Sequence, residues 1–274
     1  MGGIGKGYTT EESSVLAVQS GADVLLKPTD PSKAVDALVA AVESGRISRA
    51  RIDSAVRRVL ELKARTGIAF HPVVSLDTLR DVVGSPEHRA IATDIAQRSV
   101  TLLRDSGNLI AGARRGRTVL VQYMPETELR AGKAFAAEVG RGGGVRTFKV
   151  GPSVSAATLD SIWRAAHGAE RIIIATYVRR IEGEGRFAIP SHIANWIDSM
   201  AMREKVIVVS LGNPYLIRQF PHVGTYLVTY GVADVLEHAG ARAVLGRAPI
   251  SGTIPVSLPG FFARGDGLRR AALP

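Results

Sequence analysis

Cysteine is absent from the 274 residues, which removes disulfides, thiolate nucleophiles and cysteine-ligated zinc. It leaves the compartment open, because reducing and oxidising locations both tolerate its absence. Aromatic residues make up only 5%, too few to line a groove with stacking platforms for single-stranded nucleic acid. No apolar run approaches the roughly eighteen residues of a membrane span, and the N-terminus has no apolar segment of the signal-peptide kind. The six histidines (His71, His88, His167, His192, His222, His238) include no pair four apart and no His-Glu-x-x-His pattern. No metal site is therefore expected, and no cofactor; the histidines read as surface or cap residues. Ser210 lies outside any Gly-x-Ser-x-Gly elbow, which argues against a serine hydrolase. The opening MGGIGKGYTT has the glycines of a phosphate loop but neither its spacing nor a strand before it.

Charge is abundant and mostly positive, with a formal net of +10. It is scattered: Arg114, Arg115 and Arg117, then Arg179 and Arg180, then Arg269 and Arg270 are short groups far apart in sequence. Nucleic-acid recognition calls for a clustered basic face, so no nucleic-acid partner is expected. With 46% hydrophobic residues, the chain can bury a sizeable core.

Residues 9–21 read as a helix, with Thr9 as N-cap, Glu12 closing a capping box and Gly21 as the stop. ADVLLK follows as a run of strand length. Asp30-Pro31 then opens a helix carrying Val35, Leu38, Val39 and Val42 on one face and ending at Gly45. Another starts at Ser48, with Ile52, Val56, Val59 and Leu60 aligned, and Lys63 and Arg65 suit its negative end before Gly67. The segment reads α-β-α-α. From Ile68 to Pro86 the periodicity lapses, as in a linker.

Beyond it, strand-like runs at 118–124, 145–150, 171–178, 205–212 and 225–231 alternate with helical patterns at 129–139, 159–166, 193–200 and 232–245. Strands apolar on both faces and separated by helices predict an α/β domain with a doubly wound, mainly parallel sheet. Ligands in such sheets bind beyond the carboxyl ends of the strands, which directs attention to the loops after Val178, Leu211 and Tyr230. At one of them lies Asn213-Pro214-Tyr215, where Asn213 and Pro214 are placed to cap and open a helix, with sugar contact as the alternative. Asp23 is expected to be structural. Trp163 and Trp196, on predicted helices, are expected in the core rather than as stacking platforms.

Three stretches together resemble glycoside hydrolase family 3. GADVLLKP with SGRISRARIDSAVRRVLELKARTGI looks like the last strand and closing helices of that family's (β/α)8 barrel. IAQRSVTLLRDSGNLI is similar to the entry into its second domain, and KVIVVSLGNPY with GRAPISGTIPVSLPG to that domain's late strands and closing segment. The resemblance implies a barrel remnant over 1–67, a linker over 68–86 and the family's C-terminal α/β domain over 87–274.

It also implies an activity for the full-length protein: retaining hydrolysis of a β-linked N-acetylhexosamine or glucose residue, without a cofactor. Met1-Gly2-Gly3-Ile4 matches the stretch that follows the catalytic aspartate in the bacterial β-N-acetylhexosaminidase branch. The chain is thus expected to begin just past the nucleophile and to be inactive alone, because retaining hydrolysis needs a nucleophilic carboxylate as well as an acid/base. Gly183-Glu184-Gly185-Arg186 resembles the acid/base loop of the glucosidase branch, which makes Glu184 the catalytic candidate. The aspartate that usually precedes the arginine there is missing, and the other reading is a loop glutamate near Arg179 or Arg180. The substrate implied is a carbohydrate. The apolar faces around Val24, Leu25, Val35, Leu38, Val56 and Val59 are expected to lead to self-association. The alternative is a non-catalytic α/β domain that binds sugar or assembles with a partner.

Overall fold

Cap chemistry sets the helices of the N-terminal region. In the computed structural model, which describes residues 4–110, 116–125, 131–178 and 187–273, Thr9 Oγ1 accepts from the Glu12 N–H at the start of α1 (Thr10–Gln19). Asp30 and Ser48 do the same for α2 (Pro31–Glu43) and α3 (Arg49–Thr66). Gly67, at φ +68°, closes α3 in the left-handed conformation that glycine adopts without cost. The Glu12 carboxylate does not complete a capping box: Arg46 takes both its oxygens, at 2.8 and 3.1 Å.

Residues 22–27 are not a strand. A run of this length becomes one only when a neighbour supplies a hydrogen-bonding ladder, and none of the described strands pairs with it. The segment reads α-loop-α-α. α1 packs on α2, around a small core of Val15, Val18, Ala41 and Ile47. The apolar stripes of α2 and α3 are only partly used, with Val35 still 59% and Val56 50% exposed. After α3 comes an exposed stretch with one short helix, α4 (Leu79–Val82).

Two compact units divide at Val83 and Gly84. The second begins with α5 (Pro86–Ser99) and β1 (Thr101–Asp105), and continues through β2 (Thr118–Tyr123), α6 (Lys133–Gly140) and β3 (Val145–Val150). Then follow α7 (Ala156–Ala166), β4 (Arg171–Val178), α8 (Ser191–Ala201), β5 (Val206–Gly212), a 3-10 helix (Pro214–Gln219), β6 (Thr225–Val228) and α9 (Asp234–Val244). The sheet order is β1-β6-β5-β4-β2-β3, parallel except for β1, which runs antiparallel to β6. β1 is the strand that periodicity alone does not reveal.

Alternate residues of each parallel strand serve opposite faces. Ile172, Ile174 and Val178 of β4 meet Leu159 and Ile162 of α7 and Ile193 and Ile197 of α8. Ile173, Ala175 and Tyr177 meet Phe135 of α6 and Ala241 and Val244 of α9. Both faces are covered over the central strands, so β4 and β5 are mostly apolar on both sides. The closing segment is pinned to β1: Gly252 lies where an added Cβ would sit 2.5 Å from the Val100 carbonyl oxygen, so only glycine fits.

Candidate functional site

β2 has β3 on one side and β4 on the other, so the connections reverse direction at the β2–β4 junction. Crevices at the carboxyl ends beside such a reversal are the usual ligand sites of doubly wound sheets. One face of this reversal is closed by the protein's own groups. Glu237, fully buried in the first turn of α9, accepts from the backbone N–H of Gly132 (2.7 Å) and of Phe135 (2.9 Å) at the start of α6. Gln122 Nε2 donates to the Gly132 carbonyl (2.8 Å) and to the Tyr177 hydroxyl (3.0 Å). An internal carboxylate already satisfies the helix N-terminus that an external anion would use. Burial, reinforced by the Glu237 charge, pushes the Tyr177 hydroxyl far up, so it serves only as a neutral hydrogen-bonding group.

The opening lies farther along the same edge of the sheet. A cleft of about 480 Å³ is lined by Val178 at the end of β4, Phe187, Gly212 and Asn213 after β5, Pro214, Tyr215 and Tyr230. The three loops singled out by the carboxyl-end rule therefore meet in one cavity.

Asn213 ties its wall together. Its Oδ1 accepts from the Tyr215 N–H at 2.9 Å and its Nδ2 donates to the Phe187 carbonyl, so capping is its observed task, here of a 3-10 helix. Ser210 is buried and donates to the Asn213 carbonyl at 2.6 Å. Tyr230 holds φ +61°, a region that bulky residues enter only when their surroundings impose it. Its hydroxyl is anchored, donating to Thr101 Oγ1 of β1 at 2.9 Å. Burial raises its pKa, against the lowering effect of that bond.

Among its described lining residues the cleft offers three aromatic rings and an amide but no carboxylate. That chemistry binds a ring with apolar faces and polar edges; it does not by itself break a glycosidic bond. Glu184 lies outside the described residues, between Val178 and Phe187, both of which line the cleft. Tyr215, about 40% exposed, belongs to the Asn213-Pro214-Tyr215 turn already singled out in the sequence; Phe187, 37% exposed, is marked by no motif, and only its position after a strand end would have drawn attention to it.

The other sequence candidates fall elsewhere. Asp23 is structural, held by Arg51 at 2.9 Å and Arg58 at 2.8 Å. Desolvation pushes its carboxyl up, and the hydrogen bonds and charges of the two arginines more than reverse this, leaving its pKa lowered. Trp196 is buried in the core and Trp163 packs against it edge to face, with ring centroids 6.5 Å apart. His167 pairs with Glu204 and His222 with Asp198, both on the surface. Among the described residues, no three metal-ligating side chains are grouped to hold an ion.

The model of the glycosyl hydrolase family 3 N terminal domain matches residues 1–62. A β-N-acetylglucosaminidase/β-glucosidase of Cellulomonas fimi is 23% identical over 273 residues, covering 93% of this chain and 47% of that protein. A solved family 3 β-N-acetylglucosaminidase from Paenibacillus sp. str. FPU-7 superposes with a TM-score of 0.70 at 28% identity, over 92% of this chain and 48% of that one. The chain belongs to glycoside hydrolase family 3. A periplasmic β-glucosidase/β-xylosidase of Dickeya chrysanthemi is 35% identical over 101 residues, 37% of this chain and 15% of that protein. This family 3 chain spans about half the length of the first two relatives. The family match over residues 1–62 and the structural match to a glycosidase of both units together account for nearly the whole chain.

Proposed function

We propose that residues 87–274 are the second domain of a retaining glycosidase acting on a β-linked N-acetylhexosamine or glucose residue, and residues 1–67 the closing elements of its barrel, joined by the linker 68–86. The observation that carries this reading is the cleft at the ends of β4, β5 and β6, whose aromatic walls and the Asn213 amide suit a sugar ring. Glu184 is the proton donor in this scheme, on the segment between two cleft residues. Residues 1–274 alone bind sugar without hydrolysing it. No described cleft residue is a carboxylate, and Asp23 is engaged by two arginines.

Incubating the purified chain with aryl β-N-acetylglucosaminide and aryl β-glucoside tests this. No turnover is expected, together with saturable binding of N-acetylglucosamine or glucose that Tyr215→Ala weakens. Retaining turnover would overturn the inactivity, and its loss in Glu184→Gln would then locate the acid/base. Absence of sugar binding would overturn the assignment of the cleft.

A second reading, a non-catalytic unit that assembles through its N-terminal region, is favoured by one observation. Val24, Leu26, Val35, Val39, Val56 and Leu60 are all exposed, more apolar surface than a folded unit of this size usually leaves in water. Sedimentation at rising concentration checks it: association abolished by polar replacements at Val35, Val39 and Val56 is the expected outcome, and a monomer throughout removes it.

A further inference from the structure

A second cleft, of about 240 Å³, lies on the outer surface where α5, α6 and α9 converge. Each helix contributes polar groups: Thr93 and Gln97 from α5, Glu138 and Arg141 from the end of α6, His238 and Arg242 from α9. Glu138 organises it. Its side chain is only 4% exposed, and a buried carboxylate has to be paired. It is paired more than once: Arg141 Nη1 lies 2.9 Å from Oε2, Arg247 Nη1 3.3 Å from Oε1, and His238 Nδ1 3.7 Å from Oε2. Arg242, exposed on the same wall, has no carboxylate partner among the described residues.

The charge does not balance. Arg141 and Arg242 line the cleft with Glu138, and Arg247 reaches the same carboxylate from outside the lining, so three guanidinium charges stand against one carboxylate and leave two positive charges over. His238 and Arg242 are four residues apart and share one face of α9, a spacing at which like charges repel when the histidine is protonated. The C-terminal dipole of α9 favours a cation at Arg242, but a helix end carries only about half a charge, too little to neutralise the excess. A small dianion does so. The guanidinium forks present paired N–H donors in the geometry that a phosphate group accepts. The cavity is below the roughly 300 Å³ of sites for larger organic ligands.

We infer that this cleft is a binding site for a phosphate group, free or carried as a monoester on a small molecule, held by Arg242 and Arg141 with Glu138 fixing the guanidinium of Arg141 in place. The site is separate from the aromatic cleft: the two have no lining residue in common.

Isothermal titration of the full chain with inorganic phosphate tests the inference, with chloride at equal ionic strength as the background. The expected result is saturable binding that Arg242→Gln weakens about tenfold or more, the loss that follows removal of a hydrogen bond between charged groups. Arg98→Gln removes the same charge from α5, away from the cleft, and should leave binding unchanged. Thermal unfolding without phosphate should be the same in Arg242→Gln and wild type, because Arg242 is exposed, so lost binding will not be misread as lost folding. A parallel titration with a hexose 6-phosphate separates the sources: tighter binding than inorganic phosphate assigns the site to a phosphomonoester, weaker or equal binding to the free ion. No saturable binding of either, or equal weakening by Arg98→Gln and Arg242→Gln, overturns the proposal.

Discussion

Both units of this chain carry regular apolar patterns, and they bury them very differently. In the second unit every residue of β2 and β4 is buried, because helices cover both faces of the sheet. In the first, three well-capped helices with regular apolar stripes bury only a small cluster, and Leu26 is 92% exposed. Local signals suffice to start and stop a helix; burying its stripe requires a surface that another element provides. The second unit contains both surfaces of its core. The first does not.

The comparison breaks most sharply under truncation. Residues 84–274 alone should unfold cooperatively and be more soluble than the full chain, whereas residues 1–83 alone should show no cooperative transition by circular dichroism. A sharp transition in residues 1–83 would mean that its small core suffices. Next in size is truncation of one side chain in each unit. Ile174→Ala, in the fully buried β4, should cost about 2–5 kcal/mol in denaturant unfolding. Val35→Ala on the exposed side of α2 should stay within about 0.5 kcal/mol.

Smaller again is Glu237→Gln. It keeps an acceptor oxygen for one of the two N–H groups at the start of α6 and turns an NH2 donor towards the other, and should cost about 1–3 kcal/mol, read from the denaturant midpoint. The smallest effect belongs to Asp23 in the first unit. Its folded pKa is lowered, so its contribution is fully present above the ordinary aspartate value of 3.8 and is lost as pH falls through the lower folded value. Wild type and Asp23→Asn should therefore differ in melting temperature by a constant amount near neutrality and converge in acid. A difference that persists at low pH would show that the pairs with Arg51 and Arg58 are not its source.

How much of this was legible in sequence follows the same division. The caps Thr9, Asp30, Ser48 and Gly67 announced their helices because capping is decided within four residues. β2, β4 and β5 were legible as unbroken apolar runs between helical patterns. ADVLLK was misread as a strand because pairing depends on distant residues that its own six do not specify. β1 escaped for a related reason: Thr101–Asp105 is short, includes Arg104, and is defined by its antiparallel partner β6. The carboxyl-end rule placed the loops of the aromatic cleft. The Glu237 closure could not be read at all, since it joins Gly132 to a residue 105 positions away. The phosphate cleft, drawn from α5, α6 and α9, was hidden in the same way.

The far edge of the sheet bears on how such a chain behaves at high concentration. β1 covers the β6 side, and β3 ends the other, where an unpaired strand edge is a template for a neighbouring molecule's strand. β3 carries exposed Arg146 and Lys149, and the Arg146 guanidinium lies over the Phe148 ring at 5.0 Å. A second β3 edge brought alongside would meet like charges and an aromatic ring already covered. Growth by strand addition is therefore disfavoured at that edge, where each added copy would have to bring its own cations against Arg146 and Lys149.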